Sequence, residues 1–272
     1  MKKLHADGLL ESHDYESFDT CEPCLIGKMT KTPLSGTMER ANDLLEIIHT
    51  DVCGSMSVEA RGGYRYFLTF TDDLSRYGYI YLMKHKFETF EKFKEFQSEV
   101  ENHHNKKIKF LRSDRGGEYL SYEFGLHLKQ CGIVSQLMPP GTPHRNGVCE
   151  HRNRTLLDIV HFMMSLTDLL LSFWGYALET AAFMLNRAPS KSVETIPYEL
   201  WFGKKPNLSF LKVWGYTYVK RLQPDKLEPK SEKCVFIGYP KEIIGYTFYH
   251  RSKGKIFVAK NESFLEKEFL SK

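Results

Sequence analysis

No apolar run in this 272-residue chain reaches the eighteen or so residues that a membrane-spanning helix needs. Its opening stretch, MKKLHADGLLESHD, lacks the apolar centre of a signal peptide. Cysteine is scarce. Four of the six cysteines, Cys53, Cys131, Cys149 and Cys234, lie far apart in apolar surroundings, which excludes a dense secreted disulfide framework and reads as reduced thiols. There is no clear internal repeat and no long low-complexity tract. These absences set the expectation of a soluble intracellular protein with no membrane partner. A hydrophobic fraction of 42% and an aromatic fraction of 14% supply material for a sizeable core. The formal net charge is only +4, but the basic excess is local: between Gly203 and Lys233, eight Lys and Arg stand against three Asp and Glu. Such an excess of five suits an anionic partner such as nucleic acid, and equally a solvated basic surface.

The patterning predicts an α/β domain with a mixed sheet, followed by a small all-β module. Residues 1–38 show little periodicity, and KTPLSGTMER (Lys31–Arg40) reads as a linker. LLEIIHTDV, from Leu44 to near Asp51, reads as a strand. YRYFLTF and RYGYIYLM follow as two more, joined by a turn over Thr71–Ser75. Phe87, Phe90, Phe93, Phe96 and Val100 recur at helical spacing, with Glu88, Glu91, Lys94, Glu95 and Glu99 turned to water. IKFLRSD is a fourth strand ending at Asp114, and Arg115-Gly116-Gly117 a turn. A helix from about Ser121 to Gln130 and the strand IVSQLM come next. Three prolines within Pro139–Pro143 require a loop. A long helix then runs from about Gly147 to Ser165, and a second from Ser172, as N-cap, to Arg187. VWGYTYVKR, KCVFIGY, GYTFYH and KIFVAK form the terminal β module. The expected division is 1–38, 39–205 and 206–272.

Three acids stand out by position. Asp51 and Asp114 lie at strand ends, and Glu150 lies in the first turns of the long helix, with 35 residues between Asp114 and Glu150 (150 − 114 − 1). Strand ends of an open α/β sheet project into the crevice where ligands bind, and a helix arriving over that edge adds a third carboxylate. Converging carboxylates repel one another, and a hard divalent cation, Mg²⁺ or Mn²⁺, relieves the repulsion. Two such ions suit in-line displacement at phosphorus. Taken singly, each acid has a local alternative as a turn, cap or macrodipole residue, and spacing alone does not choose among these three and Asp72, Asp73, Glu118 and Glu123. On the long helix, Glu150, Asn153, Arg154, Asp158 and His161 share one face, and Leu156, Ile159, Val160, Met163 and Met164 the other. Arg154, nearby Arg152, and the loop residues His144, Arg145 and Asn146 are candidates for DNA phosphate contacts. So are Trp214, Tyr216, Tyr218, Lys220 and Arg221, although aromatics of a small module more often form its core.

HTDVCG, YFLTFTDDLSRY, FLRSDRGGEYLS, PPGTPHRNGVCEHRNRTLLD and SFWGYALETAAFMLNR together resemble the integrase segment of copia-type retrotransposon polyproteins, over roughly residues 20–270. The resemblance implies a ribonuclease H-like fold with a five-stranded sheet, and a small β-barrel after it. It also implies catalytic and metal-binding roles for Asp51, Asp114 and Glu150, whose 35-residue gap is that family's spacing. The implied activity is metal-dependent 3′-end processing and strand transfer of element DNA into target DNA. The implied partners are element ends, target DNA and further copies of the chain, with no small-molecule substrate, and the implied location is the nucleus. Cys21-Glu22-Pro23-Cys24 is half of a tetrahedral zinc site. Family members complete it with two upstream histidines. His5 and His13 do not fall in that pattern, so the expectation is a vestigial, metal-free pair in a truncated pre-integrase remnant. Leu170 stands where relatives have proline. Two alternatives to the joining enzyme stay open: a catalytically silent integrase-derived DNA-binding protein or decayed fragment, and a ribonuclease H-type nuclease.

Overall fold

A computed structural model of the chain describes residues 40–137, 147–220, 231–241, 243–260 and 262–264, all within one compact unit spanning Glu39–Lys272. Its first sheet begins with three strands in an antiparallel meander: β1 (Ile47–Gly54), β2 (Tyr66–Asp72) and β3 (Gly78–Met83). Two further strands, β4 (Phe110–Ser113) and β5 (Val134–Leu137), run parallel to β1 and give the order β3-β2-β1-β4-β5. Both central strands lack the apolar–polar alternation of a half-solvated strand. Ile47 to Thr50 and Phe67 to Asp72 are buried without a break, because helices cover both sides of the sheet.

The described helices are α1 (Thr89–His104), α2 (Tyr122–Gln130), α3 (Gly147–Ser165), α4 (Trp174–Leu185) and the short α5 (Pro197–Phe202). Successive residues of β2 supply opposite cores. Leu68 and Phe70 join Phe93, Phe96, Val100 and Phe124 of α1 and α2, with Phe70 stacked on Phe96 at 4.3 Å. Phe67 joins Leu156, Val160 and Met163 of α3 and Trp174, Ala177 and Leu178 of α4. Ser121 caps α2 by accepting from the Phe124 N–H.

Several local expectations need correction. Phe87 is not on the inward face of α1. It is 77% exposed in a 3-10 turn, Lys86–Glu88, that precedes the helix. Ser172 is not an N-cap. It lies inside the 3-10 turn Leu171–Phe173, and the residue before α4 is Phe173, which has no side chain able to cap. The helix α5 was not expected, since six residues are too few to show a period. Pro197 opens it, and its Trp201 stacks on Tyr77 at 5.2 Å.

The second sheet is antiparallel throughout: β6 (Gly215–Lys220), β7 (Ser231–Gly238), β8 (Tyr246–His250), β9 (Lys255–Ala259) and β10 (Glu262–Phe264), in the order β10-β6-β7-β8-β9. Cys234 and Phe236 of β7 point into its own core with Phe248. Their neighbours Val235 and Ile237, with Trp214, belong instead to the core of α3 and α4. Phe173 meets Tyr249 at 4.6 Å, and Phe183 stacks on Tyr239 at 4.2 Å. Gly238 marks the closest approach. Its φ is +146°, and a Cβ there would lie 2.8 Å from Thr180 Oγ1 on α4. No helix among the described residues is long and apolar enough to cross a membrane.

Candidate active site

Asp51 sits within β1 rather than at its end, since the strand continues to Gly54. Its carboxylate is held by a buried chain of side chains. Asn153 Nδ2 donates to Asp51 Oδ2 at 2.8 Å, and Thr69 Oγ1 on β2 donates to Asn153 Oδ1 at 3.0 Å. Asn153 is only 4% exposed. This contact fastens α3 to the sheet and brings Glu150, three residues earlier on the same face, over the edge that carries Asp51. Asp114 follows the last residue of β4, the parallel neighbour of β1, and its Oδ1 accepts the Gly116 N–H at 3.0 Å. The 115–121 turn is anchored beneath by Tyr119, whose buried hydroxyl is 3.0 Å from Thr50 Oγ1.

Electrostatics tie the three acids together. The Asp51 carboxyl is pushed up to about 6, first by burial and next by the charge of Asp114. The hydrogen bond from Asn153 opposes the rise, and Glu150 and Glu118 add to it. Asp51 therefore senses both of the other acids assigned from sequence. Asp114 and Glu150 are solvent-exposed. Among the described residues, no three His, Cys, Asp or Glu side chains are gathered closely enough to hold a metal ion. The donor set nevertheless fits a hard divalent cation: all its ligands are carboxylate oxygens, and their mutual repulsion already weighs on Asp51.

The other acids separate cleanly. Asp72, 1% exposed, accepts from the Leu45 N–H and from the N–H and hydroxyl of Ser75. Asp73, 2% exposed, binds Arg40, the Ala41 N–H, His49 and Arg76. These contacts hold its carboxyl well below the usual range against the desolvation that opposes them. Both are structural. Glu123 is exposed in the first turn of α2. Glu118 is a fourth carboxylate within electrostatic reach of Asp51 and pairs with Lys86 at 3.8 Å.

Arg152 requires a correction. It does not stand beside Glu150 on the acid-bearing face. Two residues along a helix is about 200° of rotation, which sends the side chain to the other side. There it is 9% exposed; Nη1 donates to the Arg76 carbonyl at 3.0 Å and Nη2 to Asn186 Oδ1 at 2.6 Å. Arg154, Asp158 and His161 are exposed, and Leu156, Val160 and Met163 buried, as the helical period required. Trp214 is a core residue at 3% exposure, not a surface contact. Cys21, Cys24, His144, Arg145, Asn146 and Arg221 lie outside the described residues, as do the side chains of Tyr216, Tyr218 and Lys220. The sequence placed Asn153 on the face of Glu150 but did not reveal its role as the partner of Asp51. The spacing of three residues was the available signal.

Residues 42–143 match the Integrase core domain family, a span that holds Asp51 and Asp114 and stops short of Glu150. Residues 215–272 match the Retroviral polymerase SH3-like domain. The chain is 40% identical over 252 residues to the Retrovirus-related Pol polyprotein from transposon TNT 1-94 of Nicotiana tabacum, covering 91% of this chain and 19% of that protein. It is 32% identical over 256 residues to the corresponding polyprotein from transposon RE2 of Arabidopsis thaliana, covering 92% and 17%. The chain thus spans less than a fifth of the length of these relatives. Its fold is like that of a chain in the cryoEM structure of the simian T-cell lymphotropic virus intasome in complex with PP2A regulatory subunit B56 gamma. There the TM-score is 0.56 at 15% identity, over 96% of this chain and 97% of that one.

Proposed function

Because the chain belongs to the copia-type retrotransposon integrases, with an integrase core followed by an SH3-like module, we propose that it joins DNA by metal-dependent phosphoryl transfer. The observation that carries this reading is placement: Asp51 on β1, Asp114 just past the parallel neighbour β4, and Glu150 on α3, which Asn153 fastens to the Asp51 carboxylate. Asp51, Asp114 and Glu150 would hold Mg²⁺ or Mn²⁺, which supplies Lewis-acid stabilisation of charge developing at phosphorus. Asn153 fixes the Asp51 carboxylate, and Arg154, exposed on the same face, offers a forked donor to a phosphodiester. In the first step a water oxygen attacks a phosphorus near the 3′ end of element DNA and the 3′-oxygen leaves. In the second, that freed 3′-hydroxyl attacks a phosphorus of target DNA in line, one ester bond forming as another breaks.

In this reading 39–205 is the catalytic part and 206–272 the SH3-like part, with 1–38 preceding them. The partners in this reading are element ends, target DNA and further copies of the chain, and the setting is the nucleus.

Glu150→Gln should abolish strand transfer into a target duplex while DNA affinity stays within about twofold, since only one exposed carboxylate is neutralised. Equal joining by the variant would refute the assignment. One observation favours a second reading, a catalytically silent DNA-binding protein: the three acids are not gathered into a metal-holding cluster. Binding of duplex DNA without any joining in Mg²⁺ or Mn²⁺, all three acids being present, would establish it.

A further inference from the structure

Behind α3, on the side away from Glu150, lies a cavity of about 530 Å³. Its lining includes Arg76, His151, Arg152 and Lys191, together with Thr71 and Thr155, and no Asp or Glu among the described residues. The first residues of α3, Gly147 and Val148, also line it. The opening N–H groups of a helix have no partner within the helix and carry the positive end of its dipole. A helix start alone does not make a site, but two further observations point to a ligand.

The first is charge without compensation. Arg152 is 91% buried, yet no carboxylate lies within ion-pair reach of its guanidinium among the described residues. Burial pushes its pKa down to about 10, so it remains charged at neutral pH. An unpaired buried cation is costly, and a bound anion offsets that cost. Arg76 pairs with Asp73, but that carboxylate also meets the Arg40 guanidinium, so one anion is shared between two cations, while buried His49, whose pKa burial lowers, is its neutral hydrogen-bond partner. The second is unmet hydrogen bonding. Two buried nitrogens of the lining, Arg76 Nε and Arg152 Nε, have no hydrogen-bond partner. At the mouth, Lys191 and His151 are exposed, the His151 ring being held through Nδ1 by Thr155 Oγ1 at 3.3 Å.

We infer that this cavity is a binding site for a phosphate group, distinct from the carboxylate edge in that none of Asp51, Asp114 and Glu150 lines it. The inference does not rest on the catalytic reading, since it requires only a cationic, carboxylate-free recess. The phosphate belongs either to a DNA backbone or to a free anion, and the two sources separate by experiment.

The full chain would be titrated with inorganic phosphate and with pyrophosphate by calorimetry, alongside Lys191→Glu and His151→Glu. Both positions are exposed, so these variants fold, and a thermal melt in chloride checks that they do. The expected result is saturable binding in the parent chain, weakened about tenfold or more by either reversal, the scale of one charge-assisted contact turned repulsive. Affinity for a short duplex is then measured across a salt series. A slope of log K against log salt shallower by about one per lost contact in the same variants, with pyrophosphate competing, assigns the site to a DNA phosphate. An unchanged duplex slope with lost phosphate binding assigns it to a free anion. Absence of saturable phosphate binding in the parent, or binding unaltered by both reversals, overturns the proposal.

Discussion

Replacing Asp51 by Asn should make the metal-free protein more stable, not less. The carboxyl of Asp51 is held at about 6 in the folded chain against an ordinary value of 3.8. That gap of about two units corresponds to roughly 3 kcal/mol at 1.36 kcal/mol per unit. Partial solvent access reduces the expectation to about 1–3 kcal/mol. The sign follows from proton linkage. The folded carboxyl binds its proton more tightly than the unfolded one, so folding is opposed by the ionised form. That opposition is fully present above about pH 6, falls away between 6 and 4, and is absent below the unfolded value. Asn keeps the acceptor for Asn153 Nδ2 without the charge. In EDTA at pH 8, urea or thermal unfolding should place Asp51→Asn above the parent by about 2–10 °C, for a unit of this size. At pH 4 the difference should vanish. Adding Mg²⁺ at pH 8 should reverse the order, because a ligand that binds only the folded parent stabilises it by about 2.7 kcal/mol at a hundredfold excess over Kd. If Asp51→Asn is less stable than the parent at pH 8 in EDTA, the repulsion inferred at this edge is absent.

Asp73→Ala should destabilise the fold by about 3–5 kcal/mol in urea at neutral pH, because it strands His49 and Arg76 in the interior. The Asp73 carboxyl is depressed, so its contribution is present above the unfolded carboxylate range and lost only as pH falls through the lower folded value. The parent should therefore keep this contribution to well below pH 4. Gly238→Ala should cost about 1–3 kcal/mol by the same assay, from its φ of +146° and the contact with Thr180. Adding Thr180→Ala should recover part of that loss, and strict additivity of the two would count against the contact.

Much of the sheet and of α3 was legible because long apolar periods leave little choice. The pattern Leu156, Val160, Met163 fixed the inward face of α3 at its true length. The acids were a harder case. Asp51, Asp72 and Asp73 all follow apolar β runs, and only the fold shows that Asp72 and Asp73 are consumed by a turn while Asp51 faces Asp114. Arg152 misled because closeness in sequence to Glu150 stood in for closeness in space, although the helical angle already placed it on the other side. Ser172 misled because a serine before a helix resembles a cap, whereas its carbonyl accepts the Arg61 N–H across the fold. The run Cys234–Ile237 was the underread signal. An unbroken apolar stretch is that of a strand covered on both faces, not of a free-standing barrel.

That doubly covered strand has a practical corollary. One face of β7 covers the core of the second sheet and the other seals the apolar flank of α4, so neither sheet owns the layer between them. A recombinant piece ended before Gly215 should leave that flank wetted and prone to self-association, and a piece begun there should expose Val235 and Ile237 in the same way. The smallest fragment expected to behave well in solution contains both sheets.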